Sequence, residues 1–215
     1  GVAIAVHVLI PLVGVRLAVT LAAFADGLLG LYLLRAVSPA RFTTAVATAA
    51  LSLAAVAGFS LVVGKPDPVA QISGVFRTGM ARNAHAQVEF LRDGKTATTG
   101  VFALPGGLKV IATNGKPDAG LTALGQPPTA DESTMVMAGI LPLVLHPRPE
   151  QVAIIGWGSG LSTHTLLGSP LPKQVDTIEI EPAMVEGARL FGERVSRAYH
   201  DPRSRVRIDD ARTFF

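Results

Sequence analysis

The first 64 residues hold only four formally charged side chains, Arg16, Asp26, Arg35 and Arg41, and no other property of the chain narrows its fold as sharply. A stretch this apolar lacks the polar face of a surface helix, so it belongs in lipid or inside other protein. Crossing the bilayer core takes about 20 apolar residues in helical form. Residues 17–36 and 42–64 each reach that length, and residues 1–13 read as the tail of an earlier helix. The separators Gly14-Val15-Arg16 and Ser38-Pro39-Ala40-Arg41 are short, which predicts an antiparallel helical hairpin. Asp26 sits near the middle of the first full span, where an ionised carboxylate costs roughly 2.5 to 3.5 kcal/mol on insertion scales. It is therefore expected against a neighbouring helix, in a packing role rather than on a proton or substrate path. Arg16 and the bases after Gly64 fall on one side, Arg35 and Arg41 on the other, which places the back of the chain in the cytoplasm. The expectation is a multi-pass protein of the cell (inner) membrane with the lipid bilayer as a partner. Buried helices of a soluble α domain are the competing reading.

The whole chain has 16 acids and 19 bases, and all but Asp26 and three arginines lie from Lys65 onward. That even mixture, with Arg203, Arg205 and Arg207 as its nearest basic run, does not point to nucleic acid. The absence of cysteine excludes disulfides, thiolate metal sites and cysteine nucleophiles. Five scattered histidines without ligand spacing such as HExxH predict no metal. The chain starts inside an apolar run and stops soon after a strand-like segment, so it reads as a fragment. Residues 1–12 lack the basic start and cleavage site of a signal peptide.

Beyond residue 65 the periodicity changes. Residues 66–73 read as a linker. Segments 86–91, 96–104 and 108–113 are strand-length and separated by Asp93-Gly94, Pro105-Gly106-Gly107 and Asn114-Gly115, which form turns. They predict a β meander. Residues 131–145 are helical in pattern, and Pro147 and Pro149 close that helix.

Val152-Ala153-Ile154-Ile155 has the wholly apolar character of a strand buried on both faces of a parallel sheet, and Gly156-Trp157-Gly158-Ser159-Gly160 follows directly. Strand, glycine loop and helix open a βαβ unit that binds phosphate or nucleoside, because glycines let a ligand approach the backbone. A second strand, 175–180, ends in acids. Glu179 lies 23 positions after Gly156, near the ~20 expected of a carboxylate that accepts two ribose hydroxyls. A helix over 182–195 places Met184, Ala188, Phe191 and Val195 on one stripe, and a third strand, 206–208, delivers Asp209 and Asp210 to the same edge. Glycines at the first, third and fifth loop positions suit an adenosyl-sulfonium ligand better than a dinucleotide, whose pyrophosphate wants the sixth. Glu179, Glu181 and Asp210 could instead be solvated strand ends, and Trp157 either packs or stacks on a ligand.

The fold class is thus transmembrane α-helices (1–64), then a linker and small β meander (65–130). After these comes the first half of an α/β Rossmann-like domain of the class I methyltransferase kind (131–215), truncated at its C-terminus.

Asn114 to Ala119, Leu141-Pro142-Leu143 with His146-Pro147, Ile154 to Gly160, Ile178-Glu179-Ile180-Glu181-Pro182, Asp201-Pro202-Arg203 and Asp209-Asp210-Ala211-Arg212 form an ordered set. It resembles the spermidine/spermine synthase (polyamine aminopropyltransferase) family, and most closely bacterial members with transporter-like transmembrane helices in front. The resemblance covers 65–215. It implies that Glu179 holds the ribose hydroxyls and Asp210 the adenine amino group of decarboxylated S-adenosylmethionine, a co-substrate rather than a permanent cofactor. Gly156, Gly158, Ser159 and Gly160 would complete the cofactor-binding set, and a small amine or polyamine would be the acceptor. The family's catalytic aspartate, which deprotonates the attacking amine, would follow Phe215.

Two places depart from the family pattern. Soluble synthases carry an aspartate in the glycine loop where this chain has Ser159, and Tyr-Gln where it has Thr134 and Met135. S-adenosylmethionine-dependent methyl transfer and a non-catalytic membrane sensor of nucleoside or polyamine are therefore the competing functions. The oligomeric state, a homodimer included, stays open.

Overall fold

The computed structural model of the chain describes residues 1–37, 42–62, 67–79 and 85–215. These fall into two compact units, Gly1–Pro66 and Asp67–Phe215.

In the first unit, helix α1 runs over Val2–Val37 and α2 over Phe42–Val62. Both are long and apolar enough to cross a bilayer. The break expected at Gly14 is a kink rather than a separator: Gly14 takes φ 78 and ψ 164 inside the helix, a conformation open to glycine. Residues 1–13 therefore extend α1, through a π-helical turn at Ala5–Leu9. The helices are antiparallel. Near one end Arg16 Nη1 donates to the Ser60 carbonyl at 2.8 Å, and the Thr20 and Ser60 hydroxyls lie 3.0 Å apart. Near the other, the Arg35 guanidinium sits 5.7 Å from the Phe42 ring centre. The turn expected at Ser38 to Arg41 lies outside the described residues. Among those described, Ala18 alone is buried in this unit, so the apolar surface faces outward. Asp26 is exposed as well, contrary to expectation. The seam between the helices passes through Gly27, where the Leu53 side chain occupies the space a β-carbon would border. A neighbour one position along a helix points about 100° away from that seam.

The second unit begins with two short helices, α3 (Pro68–Ile72) and α4 (Val75–Thr78). The first replaces the expected linker at 66–73. The Asp67 carboxylate accepts the Val69 amide at 3.0 Å and Pro68 fills the first turn, a pairing that starts a helix without any apolar periodicity. The meander has four strands in the order β1-β2-β3-β4: Gln87–Asp93, Thr98–Ala103, Lys109–Thr113 and Lys116–Leu121. The fourth was not expected, because Pro117 and Asp118 are poor strand formers. It is tolerated because β4 is an outer strand and Pro117, paired with Ala112, borders the register shift before the Ile111–Ala119 pair.

Helix α5 (Ala130–Leu145) opens with a capping box between Thr129 and Glu132. Strands β5 (Gln151–Ile155), β6 (Gln174–Glu179) and β7 (Ser204–Ile208) then form a parallel sheet in that order. The crossovers are α6 (Leu161–Leu166), followed by α7 (Pro182–Gly187), a 3-10 segment (Ala188–Val195) and α8 (Ser196–His200); α9 (Ala211–Phe214) follows β7. The single helix expected over 182–195 is thus broken, since Gly192 takes φ 58 and ψ −130. Its stripe is nevertheless buried: Met184, Ala188, Phe191 and Val195 join Val101, Ile111 and Leu121 of the meander and Trp157 in one core. β5 is not buried on both faces. Val152 and Ile154, like Leu143, pack against the cluster of Leu166, Leu167 and Val175, whereas Ile155 on the other face is 69% exposed. The fully covered strand is β6, which lies between two neighbours.

Candidate functional site

The ends of β5, β6 and β7 meet at one edge of the sheet, where open α/β sheets take their ligands. At β5 the chain turns through Gly156, Gly158 and Gly160, with φ of 90, 54 and 84. At Gly160 a side chain is barred twice over: by that φ and by the Trp157 indole, 3.2 Å from where a β-carbon would stand. Trp157 is itself buried. Its Nε1 donates to the Tyr199 hydroxyl at 3.1 Å, its ring centre lies 5.0 Å from that of Tyr199, and Tyr199 donates to the Val185 carbonyl at 2.7 Å. Burial pushes the Tyr199 phenol up to about 12, so it stays a neutral donor. Trp157 is therefore packed beneath the loop.

Glu179 closes β6 and is 7% exposed. Its two oxygens each accept a backbone amide at 2.8 Å, one from Trp157 in the glycine loop and one from Glu181. Charge-assisted bonds of this kind fix a carboxylate's direction. Glu181 points elsewhere: it caps α7 through the Ala183 amide and accepts both the amide and the hydroxyl of Thr96, at 2.9 and 2.8 Å. Gly94 makes this possible, since a β-carbon there would fall 2.1 Å from the Glu181 carboxylate. The β1-β2 turn is thereby tied to the sheet edge beside Glu179.

A cleft of about 480 Å³ opens over the loop, within the size range of small-ligand sites. One wall is Gly156, Gly158, Glu179 and Met184; the other is Thr113, Asn114, Lys116 and Asp118 from β3, β4 and their turn; Phe76 completes it. The walls are brought together by small residues. The β-carbon of Ala119 lies 3.9 Å from where one on Gly158 would be, and the backbone of Gly74 abuts Gly115, carrying α4 and Phe76 to the rim.

The structure thus brings Gly156, Gly158 and Glu179 to one cleft. Gly160 lies behind the loop. Ser159 is fully buried, with its hydroxyl donating to the Met135 sulfur at 3.2 Å and accepting the Leu161 amide at 3.3 Å. Asp210 caps α9. Its carboxylate accepts the Arg212 amide at 2.9 Å and pairs with the Arg212 guanidinium, and these bonds hold it below the usual carboxylate range. Sequence reasoning did not single out Lys116, Asp118 or Phe76 as site residues. Asp118 carried a signal, as an acid beside a glycine turn, but its neighbours in space are far along the chain.

Residues 133–215 match the family model of the spermine/spermidine synthase domain. The polyamine aminopropyltransferase of Bacillus subtilis strain 168 is 31% identical over 74 residues, 34% of this chain and 27% of that protein. Putrescine N-methyltransferase 2 of Nicotiana tabacum is 32% identical over 74 residues, 34% of this chain and 21% of that protein. The chain thus spans about a quarter of the length of the curated relatives it matches. The spermidine synthase of Thermotoga maritima superposes with a TM-score of 0.50 at 23% identity, covering 60% of this chain and 42% of that one. That likeness establishes a shared Rossmann-like fold.

Proposed function

We propose, from the membership of residues 133–215 in the spermine/spermidine synthase family, that this chain carries the adenosyl-binding part of a polyamine aminopropyltransferase. In this reading decarboxylated S-adenosylmethionine enters the cleft as a co-substrate. Glu179 takes the ribose hydroxyls, Gly156 and Gly158 leave the backbone open to the ligand, Ser159 and Gly160 set the loop's shape, and Asp210 takes the adenine amino group. The nitrogen lone pair of an amine attacks the methylene beside the sulfonium. A C–N bond forms as the C–S bond breaks, its electron pair passes to sulfur, thioadenosine leaves uncharged, and the amine proton goes to a base. Positioning supplies much of the acceleration, because the sulfonium is already a good leaving group.

The observation that carries the reading is the Glu179 carboxylate, clamped at both oxygens by backbone amides and set in a cleft floored by Gly156 and Gly158. Calorimetry on the full chain in detergent tests it. Glu179→Gln is expected to weaken binding of decarboxylated S-adenosylmethionine by about 1.5 to 3 kcal/mol, the range for bonds to a charged group. Unchanged affinity would sink the ribose assignment. Tighter binding of intact than of decarboxylated S-adenosylmethionine would point to methyl transfer instead.

The same proposal places α1 and α2 across the inner membrane, with the α/β part in the cytoplasm. Recovery of the chain in the soluble fraction without detergent would count against it.

A further inference from the structure

Two carboxylates and one ammonium line the cleft: Glu179, Asp118 and Lys116. The carboxylates differ in what they have left to offer. Both Glu179 oxygens already accept a rigid backbone amide. Asp118 sits on the opposite wall with its side chain 20% exposed, and among the described residues its polar partner is Lys116 Nζ, at 3.5 Å. That contact is loose, and the Lys116 side chain is 57% exposed, so it can swing into water at little cost. The place it vacates is one already shaped for an ammonium beside a carboxylate. The loop itself has no acid to offer: Ser159 is turned away onto Met135. Ala119, the next residue after Asp118, lies against Gly158, which puts the Asp118 end of β4 alongside the glycine loop.

We propose that Asp118 is the residue that holds the primary ammonium of the adenosyl ligand's side chain, exchanging Lys116 for the ligand's cation. The inference rests on the adenosyl reading above and assigns the charged end of the ligand to β4 rather than to the loop. Asp118 thereby selects ligands that carry the aminopropyl ammonium over the uncharged thioadenosine, which lacks that arm.

Calorimetry on the full chain in detergent, with decarboxylated S-adenosylmethionine and 5′-methylthioadenosine as probes, tests both levels separately. In the unmodified chain the amine-bearing ligand is expected to bind more tightly. Asp118→Asn is expected to weaken it about tenfold, as suits a partly exposed charge-assisted bond, and to leave methylthioadenosine unchanged. The unchanged neutral ligand also reports that the variant is folded. Equal affinity of both ligands for the unmodified chain, or an equal loss of both in Asp118→Asn, would overturn the assignment. If the unmodified chain binds neither, the adenosyl reading fails and this inference with it. Glu179→Gln gives the contrast, since it should weaken both ligands alike.

Discussion

The hydroxyl of Ser159 donates to the sulfur of Met135 across 3.2 Å, so two of the positions at which the family resemblance leads one to expect other residues are in contact. A loop that has serine at the expected acid position and a helix that has methionine at the expected glutamine position meet in one part-buried pair. The substitutions are better regarded as a single local repacking than as two independent losses.

The pair makes Ser159→Asp a test of that coupling. A carboxylate introduced there would face a thioether, which offers it no hydrogen, and the expected loss of stability is about 1 to 3 kcal/mol. Adding Met135→Gln supplies an amide N–H donor and should recover part of it. Denaturant unfolding of the two single variants and the double variant gives the coupling directly, and strictly additive losses would contradict it.

Glu132 should make the second unit sensitive to acid. Its burial alone would raise its pKa, but the amide and hydroxyl of Thr122, the Arg194 guanidinium and the Thr129 amide together hold it lowered. With the folded value below the unfolded one, the unfolded chain binds more protons in acid, and stability rises with pH across that interval. The contribution is present above the ordinary glutamate range and lost as pH falls through the lowered value. Glu132→Gln should flatten this slope in unfolding curves measured between neutral and acid pH.

Ile72 is 2% exposed and seats on Gly100 beneath Phe102 and Val110. Ile72→Ala should therefore cost about 2 to 5 kcal/mol, the range for truncating a core isoleucine, measured by denaturant midpoint. A residue in a true linker would cost nothing measurable.

Gly94→Ala should displace the β1-β2 turn, since the added methyl would meet the Glu181 carboxylate at 2.1 Å. The expected result is a loss of about 1 to 3 kcal/mol with faster hydrogen exchange at the Thr96 amide. Unaltered exchange there would show that the turn is not held through Glu181.

The glycine loop, its flanking strands and the acid at the end of β6 could be read directly because each is a local pattern in consecutive residues. The meander could be read from its turns, up to the point where Pro117 argued against a strand that only its outer position permits. The helix at Pro68–Ile72 is too short for periodicity, and its sole local sign was Asp67 before Pro68. Asp118 and Lys116 entered the site through the packing of β4 on the loop, a contact between residues about forty positions apart. The direction of the Ser159 side chain was equally illegible, because it is decided by a sulfur on another helix.

The Glu181 amide donates to Glu179, and the Glu181 carboxylate holds Thr96 of the β1-β2 turn, so one residue joins the cleft to the meander's far end. Linkage makes such a connection reciprocal. A ligand that favours the clamped Glu179 must, by the same free energy, resist the peeling away of that turn. Loosening the turn must in return be felt as weaker binding, with no change in any group that touches the ligand. On the proposed adenosyl reading the meander would share in the site, and hydrogen exchange at the Thr96 amide would be a remote gauge of cleft occupancy.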